Sequence, residues 1–94
     1  MNIYCIKLAN GDELIGRVIE KLEQTDTICI KDVFSIGLQR VNSTEVAVGM
    51  MPWLVGNPGA EVHISNAHVV TCYEPASELS DKYVQQTTGI VLAR

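Results

Sequence analysis

Positive charge is scarce in this chain and is nowhere concentrated. Its 94 residues include seven Lys and Arg against eleven Asp and Glu, which gives a formal net charge of −4. The seven cations are spread along the sequence: Lys7, Arg17, Lys21, Lys31, Arg40, Lys82 and Arg94. Because clustered positive charge is what draws proteins to nucleic acid over a distance, the composition lowers that expectation. A local nucleic-acid-binding site on an otherwise acidic protein is still possible.

The chain also lacks a long apolar run. The longest, 46–56, is interrupted by Pro52 and is shorter than the ~20 residues that a membrane-spanning helix needs. The N-terminus has no basic start followed by an apolar stretch, so the sequence predicts no signal peptide. We therefore expect no membrane contact and an intracellular, cytoplasmic location.

Cysteine is too sparse and too scattered for a disulfide framework. Cys5, Cys29 and Cys72 lie far apart, each within an apolar, strand-like run. An odd count without a Cys-x-x-Cys pair favours buried free thiols in a reducing compartment.

Residues capable of catalysis are present, but no motif organises them. A cysteine paired with His63 or His68 would need an orienting group, and none is evident. The two histidines are five residues apart across a turn, which does not supply a metal-ligand set, so we expect satisfied structural histidines. Gly56 and Gly59 lack the lysine and the strand-to-helix context of a phosphate loop. We expect no enzyme, no cofactor and no metal.

What the sequence does contain is a strand pattern. Two apolar-rich runs, 3–8 and 14–22, are joined by Asn10-Gly11, which predicts a β-hairpin with a primed turn because both residues tolerate positive φ. A third run, 27–33, follows and continues through 34–39 by alternation.

The second half of the chain predicts shorter elements. A fourth strand covers 45–51, and strand pieces at 62–64 and 68–73 are separated by a break at 65–67. Glu74-Pro75 ends the strand and can begin a helix, with Ala76, Leu79 and Tyr83 on one face and Gly89 near its end. The apolar tail after Gly89 is expected to pair along a sheet edge.

These patterns predict one domain, 1–94, that is mainly β. We expect a strongly bent, five-stranded antiparallel barrel over about 2–73, followed by a C-terminal helix and tail over about 75–94. A composition of 47% hydrophobic against 19% charged residues is rich for a small monomer. Other copies of the chain are expected to cover part of the apolar surface.

The hairpin resembles a known motif. The stretch 7–11, followed by Leu14, Gly16 and Val18, is similar to the first half of the Sm1 motif of Sm and LSm proteins, the family that includes bacterial Hfq. In that motif one glycine turns the hairpin and the second lies where the sheet bends sharply.

The second half of Sm1 can be aligned with 23–33 if one residue is inserted after Gly16. The apolar positions then fall on Ile28, Ile30 and Val33, and the resemblance gives Thr25 the base-stacking role and Thr27 the base-reading role. Without the insertion these roles fall to Gln24 and Asp26, but the apolar face of the strand turns outward. We favour the inserted register.

The stretch 62–70 resembles the Sm2 motif, in which an apolar strand, Arg-Gly and a second apolar strand follow one another. Asn66 stands in place of the glycine, since Asn enters the left-handed region readily, and Ser65 replaces the arginine that grips phosphates. The candidate nucleic-acid-binding residues, in two pore loops, are Gln24, Thr25, Asp26, Thr27, Ser65 and Asn66.

Two departures from the family pattern accompany the resemblance. Family members usually begin with a helix, whereas here the predicted helix comes last. The C-terminal pattern of Glu74-Pro75, Leu79, Tyr83 and Gly89-Ile90 is similar to short Sm-like proteins carried by tailed phages, which would place this chain in the host cytoplasm.

The resemblance implies a homo-oligomeric ring in which strand four of one copy pairs with strand five of the next. Two functions remain open. One is binding of single-stranded nucleic acid, RNA rather than DNA, in its processing or regulation. The other is a non-catalytic structural or adaptor ring that binds protein. Trp53 fits either a core or interface position, which we favour, or a base-stacking position.

Overall fold

The described residues form six antiparallel strands in one open sheet and a C-terminal helix. The computed structural model describes residues 2–22 and 26–88. The elements are β1 (Ile3–Leu8), β2 (Glu13–Leu22), β3 (Thr27–Arg40), β4 (Val46–Pro52), β5 (Glu61–Ser65), a 3-10 helix (Asn66–His68), β6 (Val69–Tyr73) and α1 (Ser77–Thr88). The predicted mainly β fold with a C-terminal helix is confirmed, with six strands in place of five. The predicted end of the helix at Gly89 and the apolar tail lie outside the described residues.

The sheet has the strand order β4-β3-β2-β1-β6, with β5 attached to β3. Strand β3 has 14 residues, so one side of it holds β5 along 27–31 and β4 along 34–40. The predicted continuation of the third strand through residue 39 is therefore confirmed. The two strand pieces after residue 61 are separate strands because β5 pairs with β3 and β6 pairs with β1.

The β1–β2 hairpin forms as predicted, with Ile6 opposite Leu14, but its turn is not of the primed type. Among the residues of the turn only Gly11 has positive φ, at 99°. The turn is longer than two residues, because the Leu8 N–H donates to the Asp12 carbonyl at 2.8 Å. The Asn10 Oδ1 accepts from the Asp12 N–H at 2.9 Å, so asparagine stabilises the turn through its side chain and not through a left-handed backbone.

The buried side chains form two clusters on opposite faces of the sheet. Adjacent residues of β1, such as Cys5 and Ile6, belong to different clusters, since successive side chains of a strand point to opposite faces. The inner cluster comprises Ile6, Leu8, Leu14, Ile28, Ile30, Val33 and Ile64. The helix-side cluster comprises Ile3, Cys5, Ile15 and Tyr83, with Phe34, Ile36, Met50, Leu79 and Val84 packed against it.

A β-bulge in β3 explains why Ile28, Ile30 and Val33 share the inner cluster although their spacing is uneven. Ile15 faces Phe34 and Arg17 faces Lys31, so two residues of β3 lie opposite Gly16 alone. One of them, Asp32, has φ of 52°, and this extra residue shifts the alternation by one position. The predicted burial of all three apolar residues is confirmed.

Helix α1 is fastened to the helix-side face through Tyr83, which is fully buried. Its hydroxyl donates to the Asp32 carbonyl at 2.7 Å, and its ring meets Phe34 edge-on with centroids 5.9 Å apart. The Arg17 guanidinium lies over the same ring, 5.4 Å from its centroid, and donates to Thr87 Oγ1 at 2.8 Å. The tyrosine thus joins the helix to the bulge.

The helix begins at Ser77, two residues after the start at Pro75 that the sequence predicted. Ala76 precedes the helix, and its carbonyl accepts from the Ser80 N–H at 3.0 Å. Of the predicted helical face, Tyr83 is buried, Leu79 is half-buried and Ala76 is exposed. Within the described residues, no helix has the length and apolar character of a membrane span.

Candidate nucleic-acid interface

The two predicted pore loops meet at one end of the sheet. Thr27 and Ser65 are register partners where β3 begins and β5 ends. The Asn66 N–H donates to the Asp26 carbonyl at 2.9 Å, and the Asn66 amide donates to Asp26 Oδ1, also at 2.9 Å. Four of the six candidate residues are thus brought together across 40 positions of sequence. The other two, Gln24 and Thr25, lie outside the described residues.

The backbone at this corner differs from the expected one. Asn66 opens the 3-10 helix, and the Ser65 Oγ accepts from the Ala67 N–H at 3.2 Å. Of the described non-glycine residues, only Asp26 and Asp32 have positive φ. The expectation that Asn66 takes the left-handed conformation of the family's glycine is therefore wrong, because a 3-10 helix capped by Ser65 connects β5 to β6 without it.

The loops offer neutral and negative groups to a ligand. Asp26 contributes an exposed carboxylate, and the Asn66 amide is bound to it. Several cations of the described chain are engaged elsewhere: Lys7 lies 3.9 Å from Glu13, Arg17 lies 3.7 Å from Asp32, and Lys82 donates to the Val48 carbonyl at 2.8 Å. The four described loop residues therefore offer a ligand backbone, amide, hydroxyl and carboxylate groups, and none of the four side chains is a cation.

A cleft of about 310 Å³ adjoins these loops. The cleft is bounded by the β1–β2 turn, the segment after β4, strand β5 and the 3-10 helix. Its lining consists of Leu8, Ala9, Asn10, Trp53, His63, Ile64, Ser65 and His68. Backbone bonds fix its walls: the Ala9 N–H donates to the His68 carbonyl at 2.8 Å, and the Trp53 N–H donates to the Val33 carbonyl at 3.0 Å.

The aromatic residues of the cleft agree with the sequence predictions only in part. Trp53 is half-buried and packs against the inner cluster, as predicted, yet it also lines the cleft. His63 and His68 are exposed, and their side chains make no hydrogen bond with other described residues, so they are not the satisfied structural histidines that we expected. The cleft could not be predicted from the sequence, because it needs two long-range contacts. Strand β5 pairs with β3, which places His63, and the His68 carbonyl accepts from the Ala9 N–H of the β1–β2 turn.

The three cysteines lie in strands β1, β3 and β6. All three are free thiols, with Cys5 and Cys29 buried as expected and Cys72 exposed, contrary to expectation, on the outermost strand β6. Burial raises the pKa of the Cys5 thiol, which disfavours the thiolate that a nucleophile needs. Among the described residues no three His, Cys, Asp or Glu side chains are grouped to hold a metal ion.

The chain matches no protein-family model and no curated protein. The fold defines a mainly β protein with one C-terminal helix, and its distinguishing features are the joined loops and the aromatic cleft beside them.

Proposed function

We propose that this chain is an Sm-like, ring-forming protein that binds single-stranded RNA at the two joined loops. The hydrogen bonds between Asp26 and Asn66 carry the proposal. The Sm resemblance aligns these residues with the base-contacting loops of the family, and nothing in the sequence alone requires the two loops to touch. Their contact across 40 positions supports the alignment.

The curvature of the sheet supports the barrel part of the proposal. Strands β5 and β6 lie at the two ends of the path β5-β3-β2-β1-β6. In a flat sheet four strand spacings would separate them by roughly 19 Å. The 3-10 helix that joins them has three residues and spans only about 6 Å. The short connection supports a sheet that curls until these two strands approach each other, as in the proposed barrel.

The free sheet edges support the ring. Strands β4 and β6 each pair with one neighbour among the described strands, and both carry exposed apolar side chains. These are Val46, Val48 and Met51 on β4, and Val70 and Tyr73 on β6. Unpaired edges with apolar side chains favour association. Pairing of β4 in one copy with β6 in the next is a head-to-tail contact, which repeats and closes into a ring.

Binding of labelled single-stranded RNA tests the loops. Since Asn66 connects them, Asn66→Ala is expected to weaken binding by about two- to tenfold, the worth of one hydrogen bond, while leaving the mass of the ring unchanged. Asn57→Ala, in an exposed loop outside the site, is the matched control and should bind like the unchanged protein.

Salt dependence tests the kind of contact. With few cations at the loops, affinity is expected to fall less than about tenfold between roughly 50 and 200 mM salt. No RNA binding at low salt, or equal affinity of Asn66→Ala and the unchanged protein, would refute the loop site.

A second candidate function is a structural or adaptor ring that binds protein. The engaged cations favour it, as do the exposed apolar residues of the β3–β4 hairpin, among which Leu38 is 76% exposed. A ring of normal mass that binds no RNA at low salt is the outcome that selects this candidate over the first.

A further inference from the structure

The cleft beside the loops holds three ring-shaped side chains whose polar atoms are unused. Trp53, His63 and His68 line it, and none makes a side-chain hydrogen bond within 2–22 and 26–88. The other polar lining residues are engaged, since Asn10 holds its own turn and Ser65 caps the 3-10 helix. The free donors and acceptors of the cleft therefore belong to its aromatic rings.

The lining also limits the charge and size of a ligand. No Asp, Glu, Lys or Arg is among the lining residues, and Leu8 and Ile64 supply a buried apolar floor. A volume of about 310 Å³ lies at the lower end of the range for small-molecule sites. The cleft thus fits a neutral group the size of one or two fused rings.

A nucleobase has the chemistry that these residues recognise. It is flat and neutral, so it stacks on an indole or imidazole face, and its edge carries the donors and acceptors that the imidazole and indole nitrogens complement. We infer that the cleft is a nucleobase-binding site. The base comes either from a free nucleoside or from a single strand bound at the adjoining loops. The inference rests on the cleft alone and holds whether or not the loops bind RNA.

Trp53 itself reports occupancy, because it is the only tryptophan of the chain. The full chain is titrated with adenosine and with uridine to millimolar concentration, and separately with short single-stranded oligoribonucleotides. Excitation at the red edge of the indole band avoids absorption by the bases. Saturable quenching of Trp53 by at least one of these ligands is the expected result.

Two histidine variants locate the bound ring. His63→Ala and His68→Ala remove exposed side chains that make no hydrogen bond with other described residues, so the fold should persist. Each is expected to raise the dissociation constant by about three- to tenfold. Gln85→Ala, an exposed change on α1 far along the chain from the cleft, is the control and should titrate like the unchanged protein.

The outcomes separate this inference from the proposed function. Quenching by a nucleoside but not by RNA supports the cleft and opposes RNA binding by the chain. Quenching by RNA alone, lost in the histidine variants, supports a base delivered by a strand. RNA binding that leaves Trp53 fluorescence unchanged overturns the cleft site while the loop site stands. Absence of quenching by every ligand, or titrations unaffected by both histidine changes, also overturns the inference.

Discussion

Tyr83 is the residue on which the attachment of the helix depends most. It is fully buried, donates to the Asp32 carbonyl and lies between Phe34 and the Arg17 guanidinium. This hydrogen bond contributes to stability because the accepting carbonyl belongs to the bulge residue Asp32, which has no partner in the β2–β3 register. Asp32 is half-buried, and a carbonyl that is partly shielded from water and loses its donor costs free energy.

The change Tyr83→Phe removes that donor and keeps the ring. We expect it to lower the free energy of unfolding by about 1–3 kcal/mol, measured by urea denaturation. Tyr4→Phe is the control, because Tyr4 is half-buried and makes no recorded side-chain hydrogen bond. Equal stability of the two variants would contradict this role of the hydroxyl.

The stability contributed by Tyr83 should also depend on pH. Burial raises the pKa of Tyr83 to about 12; the nearby Arg17 opposes this shift and Asp32 adds to it. An unfolded tyrosine has a pKa near 10, so above about pH 10 the unfolded chain releases a proton that the folded chain retains. The contribution is complete below about pH 10 and is lost as pH rises toward 12.

The comparison of Tyr83→Phe with the unchanged protein isolates this effect from other titrating groups. The difference in their unfolding free energies should be constant near neutral pH and shrink between about pH 10 and 12. If the difference grows between about pH 10 and 12, the predicted direction of the pH dependence is wrong.

Close packing explains why position 16 is a glycine, and the sequence predicted only part of this explanation. A glycine at the bend of the sheet was expected, and the structure places it opposite the bulge. A Cβ at Gly16 would lie 2.6 Å from Ile30 Cδ1 and 3.2 Å from the Lys31 carbonyl oxygen. Ile30 is fully buried, so its side chain has little room to move away.

Gly16→Ala is therefore expected to destabilise the fold by about 1–3 kcal/mol, the usual cost of overpacking. Gly37→Ala, in the same sheet with nothing within 4 Å of the added carbon, should stay within about 0.5 kcal/mol of the unchanged protein. Urea denaturation of both variants gives the comparison, and similar losses would remove the special role of Gly16.

At the scale of elements, the outer strand β4 combines two opposing features. Lys82 donates to the Val48 carbonyl and so covers part of this edge, as lysines often do on exposed strands. Val46 is nonetheless 60% exposed on the same strand. In the proposed ring this edge pairs with another copy, and Lys82 must then release the carbonyl if the new strand takes it.

Val46→Lys places a charge on the β4 edge, where two copies meet in the proposed ring. Because Val46 is exposed in a single copy, the fold should be unaffected, whereas a ring that pairs through β4 should dissociate into smaller species. Light scattering after size exclusion measures the mass, and circular dichroism verifies the fold. Val55→Lys changes a valine that is 87% exposed in a loop, so it should keep the ring intact. A Val46→Lys protein with the mass of the unchanged protein would exclude β4 from the interface.

Sequence patterns predicted most elements because they depend on local chemistry. Asn10-Gly11 marks a hairpin, and the alternation from residue 27 to 39 marks one long strand. The bulge at Asp32 could not be predicted from local pattern, since the carbonyl of this left-handed residue is bound by Tyr83, 51 residues away. The same limit applies to the site. The motif selected Asp26 and Asn66, but their hydrogen bonds arise where β5 pairs with β3. The cleft at Trp53 also needs the contact between Ala9 and His68.

At the scale of the whole molecule, the proposed function requires that copies assemble and that the assembly bind RNA. A single chain of 10.3 kDa exposes apolar residues on both outer strands, and association would cover them. Its charge of −4 opposes RNA, so the loops must gain affinity from neutral hydrogen bonds and from several equivalent sites around the ring.

The most direct test is the mass of the protein by size exclusion with light scattering, measured alone and with a single-stranded oligoribonucleotide at low salt. We predict one species with the mass of several 10.3 kDa chains, which gains the mass of the RNA and elutes with it. A monomer of 10.3 kDa, or a ring from which the RNA elutes separately, would contradict the proposal.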